Sequence, residues 1–190
     1  MLVPEEKSIF PVPIVDATAD NIKDYGVMIG ADVHRPGLAI PFYASVEEGQ
    51  NLEFSYHGRA VVRTARISKR SSDLIWFERH MRMTQIFIGL GDQPFVMVLA
   101  RPNHESGRDV PDFADMVAFR MPAGHGVMIH KGTWHDFPMA IDKPVTVFTA
   151  NSEEVVNALC AVPGPQEIDN GDVFKINIAA RTGRTPRVPF

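Results

Sequence analysis

Trp76-Phe77-Glu78-Arg79-His80-Met81-Arg82-Met83-Thr84-Gln85 sets a carboxylate, an imidazole and an amide into one short strand-like stretch. Side chains of an extended strand alternate between its two faces, so Glu78 and His80 project together from one of them. Gln85 lies past a tight connection and can return to the same face. A second stretch, His130-Lys131-Gly132-Thr133-Trp134-His135, is entered by the apolar run Val127 to Ile129. Gly132 permits a sharp bend there, which turns His135 toward the mouth of a barrel.

Outward from these two stretches the chain continues as short apolar runs. Ala60 to Ile67, Leu74 to His80 and Gln85 to Leu90 read as strands, the last closed by the turn signal Gly91-Asp92. Phe95 to Ala100 is apolar on both faces, which suits a strand inside a sandwich or at a subunit interface, and a homodimer is expected. Met116 to Met121 and Val127 to His130 follow, separated by Pro122, Ala123 and Gly124, and then Val145 to Ala150 and Val173 to Ala179. The 15 Pro and 14 Gly punctuate these runs as turns do. About eight short strands spaced in this way predict an all-β barrel or sandwich.

Two helices interrupt the pattern. Thr18 or Asp20 can cap a short segment through Ile22 and Tyr25, ended by Gly26. A loop containing Pro36 and Pro41 comes next. Ser152 can cap a second helix to Leu159, with Glu153 and Glu154 favourable in its first turn. Arg181 to Phe190, with three Arg and two Pro, reads as a C-terminal arm, solvated or strapped to another subunit.

The 190 residues suit one domain spanning 1–190. A 45% hydrophobic and 22% charged composition is that of a globular chain. Net charge of −4 gives no pull toward nucleic acid or an anionic membrane, so neither is expected as a partner. Met1 to Phe10 carries two Glu and opens no long apolar run, so no secretory signal is read there and a cytoplasmic location is expected. The lone Cys160 leaves no disulfide framework and no multi-cysteine zinc site within one chain.

The spacing Glu78-x-His80-x(4)-Gln85 resembles the first cupin motif, usually H-x-H-x(4)-E, and His130-x-Gly132-x-x-His135 resembles the second, usually P-x-G-x-x-H. The resemblance implies a cupin fold, a double-stranded β-helix or jelly-roll barrel, here with a short N-terminal helix. It also implies a divalent metal ion, nickel, zinc, iron or manganese, held by Glu78, His80, Gln85 and His135. Two departures stand out. Gln85 is a neutral amide and a weak ligand where the family has a glutamate, and His130 replaces the opening proline.

Glu78 to Ile88, read as ERH-x(3)-TQ-x-FI, and Gly126 to His135, read as GV-x(2)-H-x(3)-WH, resemble signatures of the ureidoglycolate lyases. Asp24-Tyr25-Gly26, Phe95 to Ala100 and Pro111-Asp112 fall in that family's order. The likeness runs from about residue 18 to 150, fades from Asn151 onward, and leaves Pro102 to Val110 as an enlarged loop. It implies cleavage of (S)-ureidoglycolate, a small carboxylate, into glyoxylate and urea, as in allantoin degradation. His135, His130 and Lys131 are the candidate catalytic groups; Gln85, Lys131 and Trp134 are the candidates for contact with substrate. Without a metal, the same imidazoles can act directly as base and acid. Another metal-dependent cupin enzyme of a small hydroxy or keto acid, or a non-catalytic ligand-binding cupin, remains as an alternative. His57, His104 and His125 fall outside both motifs and are read as structural, and Arg79 and Arg82 are expected to face solvent or a dimer partner.

Overall fold

The strand Phe95–Ala100 is buried at every position because it separates two apolar layers. Phe95, Met97 and Leu99 enter one core; Val96, Val98 and Ala100, on the alternate face, enter the other. A strand apolar on both faces is thus satisfied within one chain.

The computed structural model describes residues 8–30 and 32–190. The opening Met1–Lys7, part of the stretch read as free of a secretory signal, lies outside them. In chain order the strands are β1 (Ser8–Pro11), β2 (Ile14–Asp16), β3 (Gly26–Ile29), β4 (Ala60–Ile67), β5 (Trp76–Arg79), β6 (Gln85–Leu90), β7 (Phe95–Ala100) and β8 (Val117–Met121). They continue as β9 (Gly126–Ile129), β10 (Trp134–His135), β11 (Met139–Ala140), β12 (Val145–Ser152), β13 (Ile168–Asn170), β14 (Val173–Asn177) and β15 (Arg184–Arg187). The helices are α1 (Ala19–Ile22), α2 (Glu153–Cys160) and α3 (Ile178–Thr182).

One sheet runs β13-β14-β5-β10-β7-β8-β2, with β11 also on β7; a second runs β3-β9-β6-β12-β4. The inner core lies between them, where Phe95, Met97 and Leu99 meet Phe87, Val127 and Val147. The first sheet's outer face carries Phe77, Val98, Trp134 and Ile176, and Val12, Leu74, Ile178 and Val188 cover it. The fold is all-β, as the strand pattern predicts, and cupin-like, as the motif resemblance implies.

Local sequence explains the helices. The Thr18 hydroxyl accepts from Asn21 N–H and the Asn21 side chain accepts from Thr18 N–H, a reciprocal cap that starts α1. The helix already ends at Ile22, and Gly26, expected to end α1, instead opens β3. A Cβ there would sit 2.5 Å from the Met128 carbonyl, so glycine lets β3 close on β9. The expected Ser152 cap is present, accepting from Val155 N–H, and Val155 and Ala158 of α2 pack on Met83, Ile168 and Val173.

Two expectations are corrected near the C-terminus. Val173 to Ala179 is not one extended run. Asn177 accepts from Ala180 N–H, caps α3 and ends the strand, and Gly183 at φ 68° closes the helix. Arg181 to Phe190 is not a solvated arm. β15 pairs in parallel with β1, and Thr185, Pro186 and Val188 are buried, sealing the outer core.

Candidate active site

Glu78 is the inward residue of β5, between Phe77 and Arg79, which face the outer layer. His135 of β10 stands directly opposite Glu78 in the antiparallel register, and opposite Leu99 on its other side. His80 follows β5 on the Glu78 face. Gly132 N–H donates to the His80 carbonyl at 2.7 Å, which ties the second motif's turn to the end of the first. That turn has Gly132 at φ 78°, and a Cβ would meet His104 Nδ1 at 2.6 Å.

Glu78, His80 and His135 are all buried, and one ligand atom from each lies within 4.8 Å of the others. Glu78 Oε1 is 3.5 Å from His135 Nε2 and 3.9 Å from His80 Nε2. Both rings are anchored through Nδ1. His80 Nδ1 lies 2.7 Å from the Asp172 carbonyl and His135 Nδ1 lies 3.1 Å from the Thr133 carbonyl. A carbonyl only accepts, so each Nδ1 is the donor and each ring turns its Nε2 inward. Neither Nε2 has a hydrogen-bond partner.

Burial alone would raise the Glu78 carboxyl, but the Lys175 ammonium and the two imidazoles hold it well below the usual carboxylate range. Lys175 Nζ donates to Glu78 Oε2 at 2.9 Å, leaving Oε1 to the imidazoles. Burial depresses the His80 imidazole by more than Glu78 raises it, so that ring is neutral near neutral pH. One carboxylate oxygen and the Nε2 atoms of two imidazoles therefore converge in one buried group. Three donor atoms of these kinds converging on one point suit a cation at their centre. Ligands about 2.0–2.2 Å from one ion sit roughly 3–3.5 Å apart, close to the spacing here. This buried group can hold a metal ion.

A family model described as ureidoglycolate lyase matches residues 11–163, most of the chain. The chain belongs to the ureidoglycolate lyase family. It is accordingly a lyase. Comparison with curated proteins gave no match.

Of the lyase-family motif residues, the structure brings Glu78, His80 and His135 together. Gln85 is buried on the same inward face of β6 as Phe87, whose ring centroid lies 6.2 Å from that of His135, and its Oε1 has no partner. Trp134 is not brought to this group. It alternates with His135 and lies in the outer core, donating from Nε1 to Asn103 Oδ1 at 2.8 Å. His130 Nε2 is turned away to the Lys23 carbonyl at 3.0 Å, and Lys131 is exposed on the turn. Arg79 does not face solvent as expected. Its guanidinium lies over the rings of Trp134 and Phe174, 4.5 and 5.0 Å from their centroids. Arg82 is exposed and pairs with Glu154.

Two residues of the site were not expected. Asp172 and Lys175 lie beyond the residues matched by the family model and reach the group because β14 pairs with β5, Lys175 opposite Glu78. Asp172 sits at φ 60°, a left-handed conformation that aspartate tolerates. Its carbonyl aims His80, and its carboxylate accepts from the N–H groups of Met81 and Arg82. In the sequence the one trace of this is a lysine that alternates with Phe174 and Ile176.

Proposed function

We propose that this chain cleaves (S)-ureidoglycolate to glyoxylate and urea, with Glu78, His80 and His135 as the ligands of a divalent ion. The observation that carries the reading is the buried convergence of the Glu78 carboxylate with the unpartnered Nε2 atoms of His80 and His135, in a chain of a lyase family. Two imidazoles and a carboxylate suit nickel, zinc, iron or manganese. When bound, such an ion supplies Lewis acidity toward the carboxylate and hydroxyl oxygens of the substrate.

The chain's own groups do the rest. One substrate carbon carries a hydroxyl, a carboxylate and a ureido nitrogen. Cleavage breaks the C–N bond, forms the C=O bond from the hydroxyl, and needs a proton at the departing nitrogen. We assign that transfer to Lys175, whose ammonium gives a proton to the nitrogen and is recharged by the hydroxyl proton. Its position supports this, since Nζ is 2.9 Å from Glu78 Oε2 while the side chain also lines a groove of about 370 Å³ with Trp76, Leu159 and Gln166. Glu78, held ionised, and His80, held neutral, keep the charge of the site fixed. Gln85 orients substrate or adds a weak ligand. His130 and Lys131 stand outside the reacting set in this reading.

Protein purified without chelator should carry about one divalent ion per chain. Given racemic ureidoglycolate, it should consume one enantiomer and release glyoxylate and urea. Ammonia without urea would identify a hydrolase instead, and full activity after exhaustive demetallation would remove the ion from the mechanism.

The chain is further proposed to work as a cytoplasmic homodimer. Phe42, Tyr43 and Val62 are 80%, 71% and 65% exposed, and a second copy would cover apolar side chains of this kind. The single, exposed Cys160 suits a reducing compartment. Light scattering should return twice the 21.1 kDa chain mass, and a strict monomer at assay concentration overturns the dimer.

A further inference from the structure

The wall facing the Glu78 group carries polar atoms that the fold leaves unused. In the second sheet, Arg63 of β4 stands opposite Thr149 of β12, and Thr149 stands opposite Phe87 of β6. Asn151 is two residues along β12 from Thr149, and Gln85 two residues along β6 from Phe87, so all share one face. That face is the inward one, because Ala65, Ile67, Val147 and Phe87 on the same alternation enter or pack on the inner core. Phe87 in turn meets the His135 ring, which sets this row across the barrel from the candidate ligands.

Three atoms of the row are buried without a partner: Arg63 Nη1, Asn151 Nδ2 and Gln85 Oε1. Asn151 and Thr149 are fully buried. The Thr149 hydroxyl donates to Asn151 Oδ1 at 3.0 Å, which fixes the amide with its Nδ2 donors outward from that bond. Among the described residues no carboxylate pairs with Arg63, while nine other arginines do have such a partner. Folded proteins pair buried polar groups almost without exception, and a charged one above all. Orphaned donors and an acceptor gathered on one interior wall are free to meet a ligand.

We propose that Arg63 and Asn151 form the substrate-recognition wall of this barrel. Resting on the lyase reading above, Arg63 takes the substrate carboxylate and Asn151 donates from Nδ2 to the ureido carbonyl. The ligand class is a small carboxylate bearing a urea-like amide. A guanidinium fits a carboxylate oxygen in a buried site because it stays charged and offers planar donors. An amide donor reads a carbonyl and rejects an analogue that lacks one.

The test compares Arg63→Met, Arg63→Lys and Asn151→Leu with the wild-type holoenzyme. Arg63→Met should raise KM for ureidoglycolate about tenfold or more with a smaller change in kcat, the scale of one charged hydrogen bond. Arg63→Lys should recover part of that loss. Metal content should stay at the wild-type level in both. Because Arg63 Nη1 is unpartnered, Arg63→Met should leave Tm unchanged or higher, whereas a structural arginine would lower it. Calorimetric titration with glyoxylate reads the carboxylate site without turnover, and Arg63→Met should weaken it about tenfold while Asn151→Leu leaves it intact. Asn151→Leu should instead weaken inhibition by urea. Unchanged glyoxylate binding in Arg63→Met overturns the proposal. Glyoxylate binding that depends on Arg63 in a protein that does not cleave ureidoglycolate would retain the wall and remove the lyase reading.

Discussion

Replacing His135 by alanine is expected to lower turnover by about a hundredfold or more, the usual scale for one ligand or acid–base group. His135 is fully buried, its Nδ1 is held by the Thr133 carbonyl, and its Nε2 points at Glu78 Oε1. Without it, Glu78 faces a single imidazole and a bound ion loses one of three strong donors, so the metal per chain should fall with the rate. Circular dichroism should remain wild-type, because the change removes a polar inward side chain whose Nε2 had no partner. His57→Ala is the control. Its ring is exposed and meets only Glu154 at the surface, so its rate should stay nearly wild-type. Equal losses in the two variants would place the chemistry elsewhere.

Much of this site was legible because a strand has only two faces. The spacing of Glu78 and His80 fixes that they point together, and the bend at Gly132 returns His135 to them; β6 and β7 have the bounds that their apolar runs indicate. The same rule governs Trp134. Adjacent to His135, it must point the opposite way, and its indole is in the outer core. Lys175 and Asp172 were beyond reach for a different reason. They lie 97 and 92 residues from Glu78 and His80, and strand pairing across such a separation leaves no periodic trace. Arg63 and Asn151 were hidden in runs read as ordinary strands, since an orphaned buried atom is visible only once the neighbours on every side are known. The Asn177 cap is legible in the sequence, but the apolar run of Val173 to Ala179 outweighs one cap residue.

Trp134→Ala is expected to cost about 3–5 kcal/mol of stability, the range for deleting a large buried aromatic. The indole is fully buried, packs edge-on against Phe174 at 5.8 Å, and supports the Arg79 guanidinium at 4.5 Å. Its loss also strips Asn103 Oδ1 of a donor that is 2.8 Å away. For a chain of this size such a loss lowers Tm by about 10 °C. Below the new transition the remaining folded protein should keep a near wild-type KM, since the ring points away from the Glu78 group even though its neighbour His135 points into it. The opposite pattern, an unchanged Tm with KM raised severalfold, would mean that the indole reaches substrate, as its place within the second motif suggests when the two faces of the strand are not told apart.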